Sequence, residues 1–399
     1  MNATTYIIEN WKNTVRERKE DGNRKMGLPY PYTVPCIKEQ FDDMYYWDTY
    51  FTNKGLICSE NVTLAKNNVD NIAHLINRWG YMPNGSHFDF LGRSQPPFFG
   101  AMVKDVYDKI KDKNWLKNVY SAIEKEYEFW MEKRSTPSGL NRYYGDYTEK
   151  ECANFYIGVK NRIKTEERDP SLAGLDYFAE AESGWDFTAR FNGRCTDFNP
   201  VDLNCILYMT ENSAAFICLE LGLSSAKIWQ DRAEKRKKLV NSLCFNKEKS
   251  VYLDYNYKTK THSEIISCAS FFPYFCDVAE KENVDGLKKT LSALEMQYAL
   301  TAAEKTQNNY QWGYPNAWAP LHYVCVYALD NYGLKEDAER IAKKYVSLVD
   351  ENYKKTGGLW EKYNAETGGI DAVSEYGTPQ MMGWTAGTYL SLKDYIETK

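Results

Sequence analysis

The chain has 399 residues, 43% of them apolar, and carries 17 Phe, 11 Trp and 32 Tyr against 4 His. So much ring and aliphatic surface excludes disorder, and the lack of any run of about 18 apolar residues excludes a membrane-spanning helix. A net charge of −5 without a basic stripe argues against nucleic acid as a partner.

In chain order, MNATTYIIENWKNTVRERKE reads as an amphipathic helix without the apolar core of a signal peptide, so residues 1–40 are a helix and lead-in segment. Apolar residues then recur at helical spacing over 61–79, 114–133, 200–222, 224–243, 281–300, 315–331, 334–352 and 380–396. Asn199-Pro200 offers a cap and an N1 proline, Ser225 a second cap, and Gly333 a break between two helices. The best strand candidate is SVYLDYNYKT (250–259), read as a hairpin arm. The polar stretch 148–170 is the nearest approach to a linker, and aromatic-rich segments flank it closely. One all-α domain over 1–399 is expected. Helices of about 29 residues each with their loops suit paired inner and outer helices around one axis, although periodicity alone leaves several helical architectures open.

The ten cysteines, at 36, 58, 152, 195, 205, 218, 244, 268, 276 and 325, stand singly without a CxxC. That pattern suits a reducing compartment better than a disulfide framework, and the expected location is cytoplasmic. P-loop, GxGxxG, HExxH and GxSxG motifs are missing. His74, His87, His262 and His322 are scattered, and each reads as a core or surface residue rather than a metal ligand. No metal and no cofactor is expected.

What remains is a series of acidic residues bracketed by aromatics and glycine. FDDMYYWDTYF (41–51) reads either as a buried helix start with Asp43 or Asp48 as a cap, or as a sugar subsite. In the second reading rings face sugar C–H groups while carboxylates accept from hydroxyls. An aspartate-rich Mg²⁺–diphosphate motif of the isoprenoid type wants DDxxD, and Tyr46 breaks it. AEAESGWDFTARF (179–191) places Asp186 between Trp185 and Phe187 after Gly184. An apolar pocket would raise its carboxyl toward general-acid use, whereas an ion pair with Arg190 would depress it. GGLWEKYNAETGG (357–369) sets Glu361 between glycine-rich turns, as a partner carboxylate or as a solvated pair with Lys362. NNYQWGYPNAWAPLHY (308–323) carries Trp312 and Trp318, and SEYGTPQMMGWTAGTYL (374–390) carries Glu375.

Together these segments resemble the trehalases of glycoside hydrolase family 37. The resemblance runs colinearly through Tyr45, Trp47, Asp48 and Tyr50, PNGSHFDFLGRSQPP (83–97), LNRYY (140–144), ESGWDFTAR (182–190) and PVDLN (200–204). It continues in Gln311, Trp312, Pro315, Trp318, Ala319 and Pro320, then EKYN (361–364), EYG and GWT. It implies an (α/α)6 barrel and an inverting mechanism, with Asp186 as general acid and Glu361 as general base. It also implies sugar contacts at Phe41, Tyr45, Trp47, Asp48, Asn84, Arg93, Gln95, Gly184, Trp318 and Glu375. The chain departs from the pattern at Gln40, where an arginine is expected, and at GDYTEKECANFY (145–156), which replaces an Arg-Pro-x-Glu-Ser stretch. The expectation is a hydrolase of trehalose or a related small α-glucoside, monomeric or weakly self-associating. A relative with another aglycone (a glucosyl- or mannosylglycerate, a short oligosaccharide) and a non-catalytic sugar-binding homologue are the alternatives.

Overall fold

The computed structural model describes residues 1–162, 168–308, 310–373 and 377–398. Among these, fourteen helices alternate with short loops: α1 (Ala3–Asn10), α2 (Tyr46–Cys58), α3 (Val62–Trp79), α4 (Phe99–Ile110), α5 (Lys113–Lys133), α6 (Glu149–Val159), α7 (Pro170–Ser183), α8 (Val201–Leu221), α9 (Ala226–Cys244), α10 (Phe272–Phe275), α11 (Val284–Leu294), α12 (Ala319–Asn331), α13 (Lys335–Thr356) and α14 (Gly383–Glu397).

Their contacts close a ring. α2 touches α4, α4 touches α8, α8 touches α10, α10 touches α12, α12 touches α14, and α14 returns to α2. Of these six inner helices, α2, α12 and α14 are buried nearly all round. A helix apolar on every side belongs inside a core. Outside them α3, α5, α9 and α13 bury one face each and pack on inner neighbours, while α1 packs on α13. This is an (α/α)6 barrel. Helices α6 and α7 pack chiefly on each other, off the six-pair scheme.

Several local expectations need correction. The N-terminal helix stops at Asn10, and Val15–Arg16 turns back to pair with Tyr32–Thr33. The stretch 250–259 holds two separate two-residue strands, Val251–Tyr252 and Tyr255–Asn256, in different small sheets. The apolar pattern over 281–300 is helical only for 284–294, since Glu295 goes extended and bridges to Leu300. The pattern over 315–331 is helical only from Ala319: Asn316–Trp318 is a strand paired with Lys362–Asn364. Ser225 holds the cap position of α9, but its hydroxyl makes no cap hydrogen bond. Tyr45, not Asp43 or Asp48, precedes α2, and Asp48 lies in its first turn.

Candidate active site

One pocket of about 240 Å³ opens among the loops that join the inner helices. It is smaller than the roughly 300–1,000 Å³ of drug-sized sites, so it suits a short substrate. Phe41, Tyr45, Trp47, Asp48, Asn84, Arg93, Gln95, Gly184, Trp318, Asp186 and Glu361 all line it. Glu375 lies outside the described residues. The sequence therefore named most of the wall; Phe90, Arg162, Ala181, Gln311, Trp312, Met381 and Trp384 complete it.

Asp186 arrives from the end of α7. That helix begins with Asp169 accepting from the Ser171 and Leu172 N–H groups and with Pro170 at N1, and it ends at Gly184 in the left-handed conformation (φ 78°). The turn points Trp185 inward, fully buried, and leaves Asp186 with 41% of its side chain open to the pocket. Burial of the site raises the Asp186 carboxyl above the ordinary carboxylate range, while Arg162 and Arg93 act against that rise. The pairing with Arg190 that the four-residue spacing suggested does not occur. Arg190 is held by Asp202 (2.7 Å) and Asp254 (2.8 Å), with its guanidinium over the Trp185 ring. The cation beside Asp186 is Arg162, at 3.6 Å.

Glu361 sits on the opposite segment. The strand pair Trp318↔Lys362 fixes its register against the tryptophan wall, and the Glu361 carbonyl accepts from Trp384 Nε1 at 3.1 Å. It is 2% exposed, and Lys362 Nζ donates to its Oε2 at 2.6 Å from an equally buried position. This is no solvated pair. The ammonium also lies 5.0 Å from the Trp318 ring centroid, so cation and carboxylate offset each other where either alone would be costly.

Asp48 lies in electrostatic reach of both carboxylates. Its burial, with repulsion from Glu361 and Asp186, raises its pKa to about 8. Around it the indoles of Trp47, Trp312, Trp318 and Trp384 pack edge and face, Trp312 and Trp318 stacking at 3.8 Å and 5°.

The remaining segments are tied together by buried polar groups. Glu182 accepts from Ser94 N–H, Tyr144 N–H and the Arg134 guanidinium, which joins three motifs at one carboxylate. Gln95 Oε1 accepts from the Trp47 N–H at 3.1 Å, and Asn84 Nδ2 donates to the carbonyls of Ser94 and Ala181. In LNRYY and PVDLN, Asn141 N–H donates to Asn204 Oδ1: these two motifs build frame, not pocket wall. Arg162 was missed in the sequence because it stands in a polar run without a motif; no spacing signal marks it.

A helical barrel with two carboxyl groups, Asp186 and Glu361, from different segments in the lining of one indole-rich pocket defines a carbohydrate-active enzyme of the (α/α)6 type. The trehalase family model matches residues 2–397, and the chain belongs to that family; it is a glycoside hydrolase, with a small carbohydrate as substrate. It is 30% identical to a periplasmic trehalase of Xanthomonas oryzae, over 92% of this chain and 68% of that protein. It is 32% identical to one of Pseudomonas aeruginosa, over 97% and 75%. Two solved structures share the fold. The neutral trehalase of Saccharomyces cerevisiae aligns with a TM-score of 0.79 at 23% identity, over 99% of this chain and 80% of that one. A family 63 mannosylglycerate hydrolase of Thermus thermophilus, in complex with glucose, aligns at 0.69 and 16%, over 98% and 99%.

The cytoplasmic location expected from the sequence is overturned by these relatives, which are periplasmic trehalases in several bacteria and point to the periplasm. The thiols misled for a physical reason. All ten are free and nine are buried, and a buried thiol packs as a small hydrophobe whatever the redox state outside. Among the described residues no helix is long and apolar enough to cross a membrane.

Proposed function

We propose that this chain hydrolyses trehalose or a close α-glucoside with inversion, Asp186 acting as general acid and Glu361 as general base. The observation that carries the proposal is the opposed setting of the two groups in one pocket. Asp186 is a carboxyl raised by its surroundings; Glu361 is a buried carboxylate beside an ammonium. A raised carboxyl keeps its proton closer to neutral pH, which a general acid needs. In the proposed reaction Asp186 gives that proton to the glycosidic oxygen as the bond from the anomeric carbon to that oxygen breaks. Glu361 takes a proton from a water whose oxygen attacks the same carbon from the other face. Inversion requires room for that water between the carboxyl groups, about 6.5–9.5 Å. Asp48, largely protonated below pH about 8, donates to a sugar hydroxyl, and the indoles cover the ring's C–H faces.

Early proton NMR of a trehalose digest tests the stereochemistry. Inversion releases one β-glucose for each α-glucose, because the attacked ring inverts and the leaving ring keeps its configuration. Release of α-glucose alone refutes it. A second reading, an α-glycosidase for an anionic aglycone such as a glucosyl- or mannosylglycerate, is favoured by the two guanidinium groups, Arg93 and Arg162, on the Asp186 side. Relative kcat/KM on trehalose and on these glycerates distinguishes the two.

A further inference from the structure

On the side of Glu361 the pocket ends at a wall. Glu361 N–H donates to the Pro379 carbonyl at 3.1 Å, Met381 N–H donates to the Leu359 carbonyl at 2.9 Å, and Trp360 bridges to Gln380 between them. The stretch 379–381 therefore runs antiparallel beside the residues that carry the base. Met381 is 2% exposed and lines the pocket of about 240 Å³.

A second, larger cavity of about 490 Å³ adjoins the same stretch. Tyr6 and Asn10 of α1 line it, with Ile37, Lys38 and Gln40 of the lead-in segment and Gln380. None of these lines the first pocket; among the described residues Met381 alone lines both. The volume falls within the roughly 300–1,000 Å³ of small-molecule sites. Its groups suit a sugar: amides and an ammonium for hydroxyls, and a phenol ring for C–H faces.

A base on the far side of the anomeric carbon from the leaving group faces the ring under attack. A wall beside Glu361 thus bounds the retained sugar, not the departing one. Methionine is unbranched and apolar, so it closes that end without offering a partner to a further hydroxyl.

We infer that Met381 is a specificity-determining partition: it ends the pocket at one sugar ring, and the cavity behind it is a latent subsite for a further sugar joined to that ring. The inference rests on the assignment of Glu361 as the base, which puts the wall at the retained ring. Glycosyl fluorides isolate this end of the pocket. Fluoride departs with the bonding electron pair, needs no proton from Asp186 and leaves the departing-sugar side empty. Water supplies the oxygen that bonds to the anomeric carbon, and Glu361 takes its proton.

The test measures kcat/KM on α-glucosyl fluoride and on α-maltosyl and α-isomaltosyl fluorides, which extend the same ring at O4 and O6. Wild type should favour the glucosyl fluoride by about 100-fold or more. In Met381→Ala the ratio of extended to unextended kcat/KM should rise about 10-fold or more for at least one extended fluoride, with Met381→Val between. Adding Ile37→Trp to M381A fills the second cavity from a residue that does not line the first, and should return the ratio to near wild type. Turnover of glucosyl fluoride reports that each variant is folded. An unchanged ratio in both Met381 variants overturns the inference and leaves the hydrolase assignment standing. So does a wild type that already accepts an extended fluoride, or a gain that Ile37→Trp leaves intact. A wild type inert on trehalose and on glucosyl fluoride overturns that assignment and the inference with it.

Discussion

Gly184 is where the fold can be pressed hardest with one methyl group. It ends α7 at φ 78°, and an added Cβ would stand 2.8, 2.9 and 3.0 Å from Cε2, Nε1 and Cζ2 of Trp47. Trp47 has nowhere to go: it is 2% exposed and wedged among Phe51, Trp312 and Trp384 at ring distances of 5.9, 5.6 and 5.8 Å. Two penalties add in Gly184→Ala. The left-handed conformation costs an L-residue about 1–2 kcal/mol, and overpacking a tight site about 1–3 kcal/mol. The sum, about 2–5 kcal/mol, is a large part of a stability of about 5–15 kcal/mol. Urea unfolding followed by circular dichroism reads it directly. The double variant with Trp47→Phe then separates the two parts. Phe lacks the outer indole ring that the methyl would strike, so the clash is relieved while the dihedral penalty remains. The expected coupling energy is about 1–3 kcal/mol. A single-variant loss below about 0.5 kcal/mol, the range of ordinary surface changes, would refute both the packing and the backbone argument.

Removing either proposed catalytic proton carrier, in Asp186→Asn or Glu361→Gln, should lower kcat on trehalose by about 10²–10⁴-fold, with the unfolding midpoint little changed in the first and lowered in the second, which takes the carboxylate away from the buried Lys362 ammonium; α-glucosyl fluoride should largely rescue the first and not the second. Lys362→Met should destabilise by about 3–5 kcal/mol, because it takes the ammonium away from the buried Glu361 carboxylate; equal stability of variant and wild type in urea would contradict the buried pair. Asp48, with a folded pKa of about 8 against an ordinary carboxylate value of 3.8, binds its proton more tightly folded than unfolded. Its contribution to stability is therefore complete below pH about 4 and lost as pH rises through about 8, at up to about 1.4 kcal/mol per pH unit. Asp48→Asn should flatten that decline between pH 5 and 8, and an unchanged slope in paired urea titrations would show that the group is not so perturbed.

Much of this pocket was legible because aromatic residues flank acids at Asp48, Asp186 and Glu361, and a polar group among rings has few structural uses. The barrel was legible in its outer helices, where one apolar face repeats, as in α3, α5 and α13. The inner helix α2 blurred that periodicity by burying nearly every face. α6 was passed over within the polar stretch 148–170 and α7 just behind it, although both beginnings are spelled out. Thr148 and Glu151 form a reciprocal capping box, and Asp169-Pro170 starts the next helix. What no local pattern holds is the choice of partner across the chain: Arg190 lies four residues from Asp186 yet serves Asp202 and Asp254. Asp186, Asp202 and Asp254 compete for the cations in this region, and three-dimensional proximity decides among them.

The indole cluster has a consequence beyond stacking on sugars. Trp312 lies within 3.8–6.2 Å of Trp47, Trp185, Trp318 and Trp384, ring centre to ring centre, out of 11 tryptophans in the chain. At such separations electronic excitations couple and energy migrates between rings faster than it is emitted. Near-ultraviolet absorption, dichroism and emission of the whole molecule are thereby weighted toward this one cavity. The protein carries a built-in optical gauge of whether its pocket is occupied, readable without a label or a coupled reaction.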